Sequence, residues 1–371
     1  MIIETKAFKE TCATILAATD NSEISTLTET LELKSENRIL YLNVTNGEYF
    51  ASVKFPMDHE ETFHATVNAS RFLKLVAATT TEAIELSVKD TYVLFKGNGT
   101  YKVPLITDEN GLLVLPAINI ANPTLDMKIG GNILQSILNY NSKELLRGTA
   151  SRAVQKMFYM DEQGCITFTS GACVNSFALE KPLKVLFNQR LVKLFKLFKD
   201  DLVDFTLGYD PLSDDLVQTK VRFETPTIVL TAITGCTDEL LNSVPVGSIR
   251  GRANAVYPYN VVLNKNELQQ AVNRLLIFLG GKNVKAYSPF EFKEDTLTIY
   301  DNSAKENSEN IKFKDNTVVS DEYSMILDLA DLKLVLDTVV EEYVTLSFGN
   351  HQAAVIKRGH VANVIPECRV S

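Results

Sequence analysis

With 371 residues, 45% of them hydrophobic and 22% charged, the chain has the composition of ordinary globular domains and is too long for one core, which predicts two or three. Its 37 Lys and Arg against 46 Asp and Glu give a net charge of −9, which argues against tight wrapping of nucleic acid but does not exclude a protein that gathers its cations on one face. The stretch Met1–Lys6 lacks the layout of a secretory leader, the apolar run Leu275–Leu279 is too short to span a bilayer, and five cysteines without a close pair fit a reduced cytoplasm.

Apolar residues at helical spacing predict a first helix over residues 5–18, with Phe8, Cys12 and Ile15 on one face. Polar turns follow at Ser35–Asn37 and Thr45–Gly47. A second helix runs over 68–78, opened by Asn68 as cap. Alternation then predicts strands at 84–88, 92–96 and 101–106. The same order returns after Ala121-Asn122-Pro123: a helix from Gly131 to Tyr140, turns at Asp161–Gly164 and Thr169–Gly171, a helix over 188–199, and strands at 202–207, 219–224 and 227–233. It returns again beyond a boundary between Asn242 and Arg252: a helix over 265–279, turns at 293–295 and 301–303, a helix over 328–340, and strands at 343–348, 353–357 and 361–365. The chain reads as three copies of one α+β unit, with domains 1–122, 123–250 and 251–371.

Basic residues fall repeatedly on the expected helices: Lys6, Lys9, Arg71, Lys74, Lys143, Arg147, Arg190, Lys193, Lys196, Lys199, Arg274 and Lys333. After Asn188 they recur every third position, opposite Leu191, Leu194, Phe195 and Phe198. Such a stripe is more often a plain solvated face; once the repeat is accepted the helices share a direction, which shifts the balance toward phosphate contact. Catalytic motifs are scarce. Of four histidines only His59 and His64 are close, and no Cys pair stands near them to complete a zinc site. Gly280-Gly281-Lys282-Asn283 lacks the spacing and hydroxyl of a phosphate loop. A Cys173–His360 hydrolase pair, whose members could meet only in the fold, is the one enzymatic alternative. No cofactor or metal is expected.

The helix–strands–helix–strands order, taken with a few short motifs, resembles the bacterial sliding clamp, the beta subunit of the replicative DNA polymerase. The motifs are Arg152-Ala153-Val154 followed by Met157-Phe158-Tyr159, the turn Thr169-Ser170-Gly171, Phe187–Leu191 at a helix start, and Val364-Ile365-Pro366 near the end. The resemblance implies three tandem clamp units with two helices inside and antiparallel sheets outside, in a head-to-tail homodimeric ring around double-stranded DNA. It implies a non-enzymatic processivity factor for DNA polymerase, with sequence-independent DNA contacts from Lys6, Lys9, Arg71, Lys74, Lys143, Arg147, Arg152, Arg190, Lys193, Lys196 and Arg274. It also implies a pocket for polymerase and clamp-loader peptides, assigned to Val154, Thr169, Gly171, Cys173, Val174, Asp328, Asp331, Ile365, Pro366 and Glu367. Two departures bear on that pocket. Ala172-Cys173-Val174 stands where the family usually carries His or Tyr, then Arg, then Leu, and the C-terminal motif reads Ile365-Pro366-Glu367-Cys368-Arg369. Such drift fits a clamp from a phage or other mobile element. It also motivates an alternative, a clamp-fold scaffold that binds peptides without encircling DNA.

Overall fold

The computed structural model describes residues 1–20, 25–109, 111–145, 152–199, 202–213, 216–279, 286–302, 304–314, 318–349 and 353–368. The chain begins β1 (Ile2–Glu4), α1 (Thr5–Leu16), β2 (Thr30–Glu36), β3 (Ile39–Thr45), β4 (Tyr49–Pro56), β5 (His64–Asn68), α2 (Ala69–Ala78), β6 (Ala83–Val88), β7 (Tyr92–Lys96) and β8 (Thr100–Pro104). The short strands β9 (Thr107–Asp108) and β10 (Gly111–Leu112) lead into β11 (Pro123–Gly130). Then come α3 (Gly131–Ser136), a π-helical turn (Ile137–Asn141), α4 (Ser142–Glu144), a 3-10 turn (Ala153–Lys156), β12 (Met157–Asp161), β13 (Gly164–Phe168), β14 (Ala172–Ser176) and β15 (Lys184–Asn188). α5 (Gln189–Lys193) runs into a 3-10 turn (Leu194–Leu197), followed by β16 (Leu202–Ser213), β17 (Leu216–Glu224), β18 (Ile228–Ile233), α6 (Asp238–Ser243) and α7 (Val246–Asn254). The last stretch is β19 (Tyr259–Asn264), α8 (Lys265–Phe278), β20 (Tyr287–Glu294), β21 (Thr296–Tyr300), β22 (Ser308–Lys312), β23 (Val319–Asp328), α9 (Leu329–Leu336), β24 (Tyr343–Phe348), β25 (Ala353–Arg358) and β26 (Val361–Pro366).

Local chemistry explains many of these boundaries. The side chains of Asn68, Asn264 and Asp328 accept from free backbone N–H groups at the starts of α2, α8 and α9. Gly164 has φ +143° and its backbone lies against β14, so that a Cβ would sit 2.2 Å from the Asn175 carbonyl oxygen; only glycine fits this hairpin. Three expected helices are altered. The helix from Gly131 widens into the π turn, where Asn141 is fully buried and donates to the carbonyls of Cys165 and Cys173. The helix from Gln189 tightens to 3-10 at Leu194, and the last ends at Leu336. The boundary expected between Asn242 and Arg252 instead holds the end of α6 and most of α7. α7 is anchored by Arg250, which makes a bidentate pair with the buried carboxylate of Asp161 at 2.5 and 2.7 Å.

The strands form two eight-stranded sheets, ordered β11-β16-β17-β18-β4-β3-β2-β5 and β15-β12-β13-β14-β26-β25-β24-β19. Two four-stranded sheets, β1-β6-β7-β8 and β22-β21-β20-β23, and the β9–β10 hairpin complete the set among the described residues. The chain divides into two compact units, residues 1–135 with 193–237 and residues 136–192 with 238–371. Neither is continuous in sequence, because β18 pairs with β4 in the first and β26 pairs with β14 in the second. In the first unit α1 packs on α2 over a line of edge-on rings, Phe55, Phe8, Phe72 and Phe95, with centroids 5.5–6.4 Å apart. In the second, α8 and α9 close over a core in which Phe292 stacks on Phe348 at 3.9 Å.

Candidate nucleic-acid and partner-peptide interfaces

In the first unit, Lys6, Arg71 and Lys74 are exposed on α1 and α2, and Lys9 is half-buried. From the end of α5 onward, Lys193, Lys196 and Lys199 are exposed while Leu194, Phe195, Leu197 and Phe198 are buried. The 3-10 geometry explains this separation, since three residues per turn bring every third side chain onto one line. Gln135 caps the turn by donating its amide to the carbonyls of Phe195 and Phe198. Lys196 and Lys199 line an open cleft of about 1340 Å³ together with Glu10 and Thr14 of α1 and Ala17 just after it. Among the described residues no carboxylate pairs with Lys6, Lys9, Arg71, Lys74, Lys193, Lys196 or Lys199.

The second unit is different. Lys143, Arg152 and Arg190 are exposed; Arg147 lies outside the described residues. Arg274 on α8 is held by a bidentate pair with Glu309 of β22 at 2.6 and 2.7 Å. Lys333 pairs with Asp337 one turn on. These two cations are neutralised within the chain, so they have less to offer phosphate than free ones.

Most of the expected pocket residues lie around the join of β14 and β26 in the second unit. Ala172 pairs with Val364, Cys173 with Asn363 and Val174 with Ala362. Successive side chains point to opposite faces. Cys173 and Ile365 are fully buried; Ile365 belongs to the core beneath α8 and α9. They hold the strands from inside and do not wall an outer pocket. Val174, on the other face, is also buried, and α7, whose own buried residues are Ile249 and Ala253, packs against both strands. The turn ahead of β14 is well tied. Thr169 N–H donates to the Gly171 carbonyl, Thr169 Oγ1 to the buried Glu144 carboxylate at 3.0 Å, and Ser170 Oγ to Asp331 at 2.9 Å. Gln155, next to the buried Val154 on its 3-10 turn, donates to the Thr169 carbonyl. Gly171 is buried, and Pro366 and Glu367 are partly exposed. Asp328 is occupied as the cap of α9. Sequence reasoning missed α6 and α7, whose packing beside Val154 and on β14 makes them part of this surface. The available signal was Asp238-Glu239 ahead of Leu240-Leu241, with Pro245 at the second start. Nearby, burial and the Asp161 carboxylate push the Tyr159 hydroxyl up to about 12.

No protein-family model matches the sequence, and no curated protein matches it. Solved structures do. The DnaN sliding clamp (DNA polymerase III subunit beta) of Pseudomonas aeruginosa, bound to griselimycin, superposes with a TM-score of 0.81 at 15% identity, over 100% of this chain and 99% of that one. The DNA polymerase III beta chain of Streptococcus pneumoniae gives 0.78 at 14% and the DNA polymerase sliding clamp of Bacillus subtilis 0.76 at 13%, with the same coverage. Over its whole length, this chain has the fold of the bacterial DNA polymerase III beta sliding clamps.

Proposed function

We propose that the protein is a DNA sliding clamp, a non-enzymatic processivity factor that closes as a head-to-tail homodimer around duplex DNA and tethers a polymerase. In this reading residues 1–122, 123–250 and 251–371 are three tandem units, each contributing two four-stranded half-sheets. The observation that carries it is how the sheets end. β18 joins β4 and β26 joins β14, each junction giving eight strands. Two half-sheets stay at four, and their edge strands β8 and β22 hold the positions that β18 and β26, and β4 and β14, hold in the joined sheets. An open edge is a template for pairing, and the same join between two copies, made twice, uses both. Head-to-tail contacts close into a ring when the rotation allows.

A second feature supports closure. Arg274 reaches Glu309 on β22, and Ile277 and Phe278, three and four residues further along α8, continue that stripe beside the edge strand. They are 75% and 62% exposed. Lys6, Lys9, Arg71, Lys74, Lys193 and Lys196 are the cations best placed to touch phosphate, through flexible, sequence-blind contacts. The peptide site lies on the outer side of the β14–β26 join, with the Thr169–Gly171 turn, Val174, Pro366 and the flank of α7. In solution at micromolar concentration, light scattering should give twice the chain mass of 41.3 kDa. A monomer would favour the scaffold reading.

A further inference from the structure

Resting on that ring reading, we infer the register of the closure: Lys102 of one copy stands directly opposite Glu306 of the other. The two junctions inside the chain supply the rule. Start from the residue before the second helix of each unit, Asn68, Asn188 or Asp328; its ladder partner is Thr30, Met157 or Tyr287. Three residues on, Leu33, Met160 and Phe290 pair with Leu42, Cys165 and Ile299, which pair in turn with Val53, Asn175 and Glu309. These last three therefore occupy equivalent places on the strands that meet a neighbour. On the opposing side, Ile3, Ile129 and Leu263 each lie two residues before a first helix and pair with Ile84, Val203 and Val344. One residue on, Glu85, Asp204 and Thr345 pair with Lys96, Glu224 and Lys357, which pair with Thr100, Val229 and Ala362.

At both internal junctions these frames meet in one register. Ser52 opposes Val229 and Val174 opposes Ala362; two residues along, Phe50 opposes Thr231 and Ala172 opposes Val364. Carried to the open edges, the rule sets Ser308 against Thr100, Asn307 against Tyr101 and Glu306 against Lys102. The chain is prepared for this. Glu306 lies just before β22 and is exposed, as are Thr100, Tyr101 and Lys102. The Asp301 N–H already donates to the Asn307 carbonyl at 3.1 Å, extending the β21–β22 ladder toward the new pairs. The faces also agree. Tyr101 packs edge-on against Phe95 on the core side, and Lys102 lies over the Tyr92 ring on the other face, where Glu306 would meet it. Opposite charges directly across a ladder attract.

The test uses the full chain carrying Cys368→Ser, which removes the one described thiol that is not buried. In that background Lys102→Cys with Glu306→Cys should give a covalent dimer under mild oxidation, because directly opposed Cα atoms lie about 4.5–5.5 Å apart. Lys102→Cys with Asn310→Cys, offset by about 13 Å along the strand, should not. Lys102→Glu or Glu306→Lys alone should weaken the dimer about 2- to 10-fold, and the two together should restore it. A non-covalent dimer by light scattering that cross-links only in the offset pair, or in neither, overturns the register and leaves the ring standing. A monomer with no cross-link overturns the ring reading, and the register falls with it.

Discussion

The exposed end of α8 offers the sharpest perturbation of the proposed closure. Ile277 and Phe278 are 75% and 62% exposed in the single chain, so their truncation should cost the protomer little, within about 0.5 kcal/mol for surface positions. Fully burying a side chain of this kind contributes about 1.5–3 kcal/mol. Scaled by the fraction still open to water, the pair can contribute about 2–4 kcal/mol to each junction between copies. That corresponds to about a 30- to 700-fold weaker interface in Ile277→Ala/Phe278→Ala, and a ring has two such interfaces. Sedimentation velocity across a concentration series would read the shift from dimer to monomer, with circular dichroism melting as the control for the fold. A variant that keeps the dimer at the same concentrations, with an unchanged melt, would refute the placement of α8 at the junction.

Other outcomes follow from the same structure. Asp161→Asn should destabilise the second unit by about 2–3 kcal/mol, since it leaves the half-buried Arg250 guanidinium without its counter-charge; chemical denaturation followed by hydrogen exchange of α7 would register it, and protection of α7 equal to the parent's would contradict it. The carboxyl of Asp210 is held below its ordinary 3.8 by Lys220 and by the N–H groups of Ala121 and Asn122. A depressed carboxyl contributes stability that is complete above its unfolded value and lost as pH falls through its folded value, so the melting temperature should drop on acidifying below about pH 4. In Asp210→Asn that acid-dependent part should shrink, and melts that fall equally in both proteins would argue against it. Gly171→Tyr should weaken a polymerase-derived peptide by about 2 kcal/mol or more in fluorescence anisotropy while leaving the dimer intact, because few apolar anchors dominate such sites; undiminished binding would move the pocket elsewhere.

Elements with one buried face were legible in the sequence. β7 and β24 fall where alternation put them, at 92–96 and 343–348, because their inward and outward residues differ in polarity. Around the candidate peptide site that signal fails. Ala172, Cys173 and Val174 are all buried, since both α7 and the helical segment at 137–141 pack against β14, so no alternation tells Cys173 from Val174. α7 itself was hidden because its place is fixed by the distant pair of Arg250 with Asp161 rather than by its own apolar pattern. The three leading strands β1, β11 and β19 were missed for a related reason: each pairs with a strand that follows the second helix, a long-range match that local propensity does not encode. The basic stripe of Lys193, Lys196 and Lys199 was legible, since period three survives whichever helix forms, but the capture of Arg274 by Glu309 was not.

The most direct test of a clamp is its lifetime on DNA of two topologies. The protein, loaded onto a nicked circle by a cognate clamp loader, should persist there, and should be lost within seconds once a single cut makes the DNA linear. Raising salt should shorten residence on the circle only weakly, because retention by encirclement does not depend on neutralised phosphates as ordinary binding does. Equal lifetimes on circle and linear DNA, both set by salt, would contradict the account.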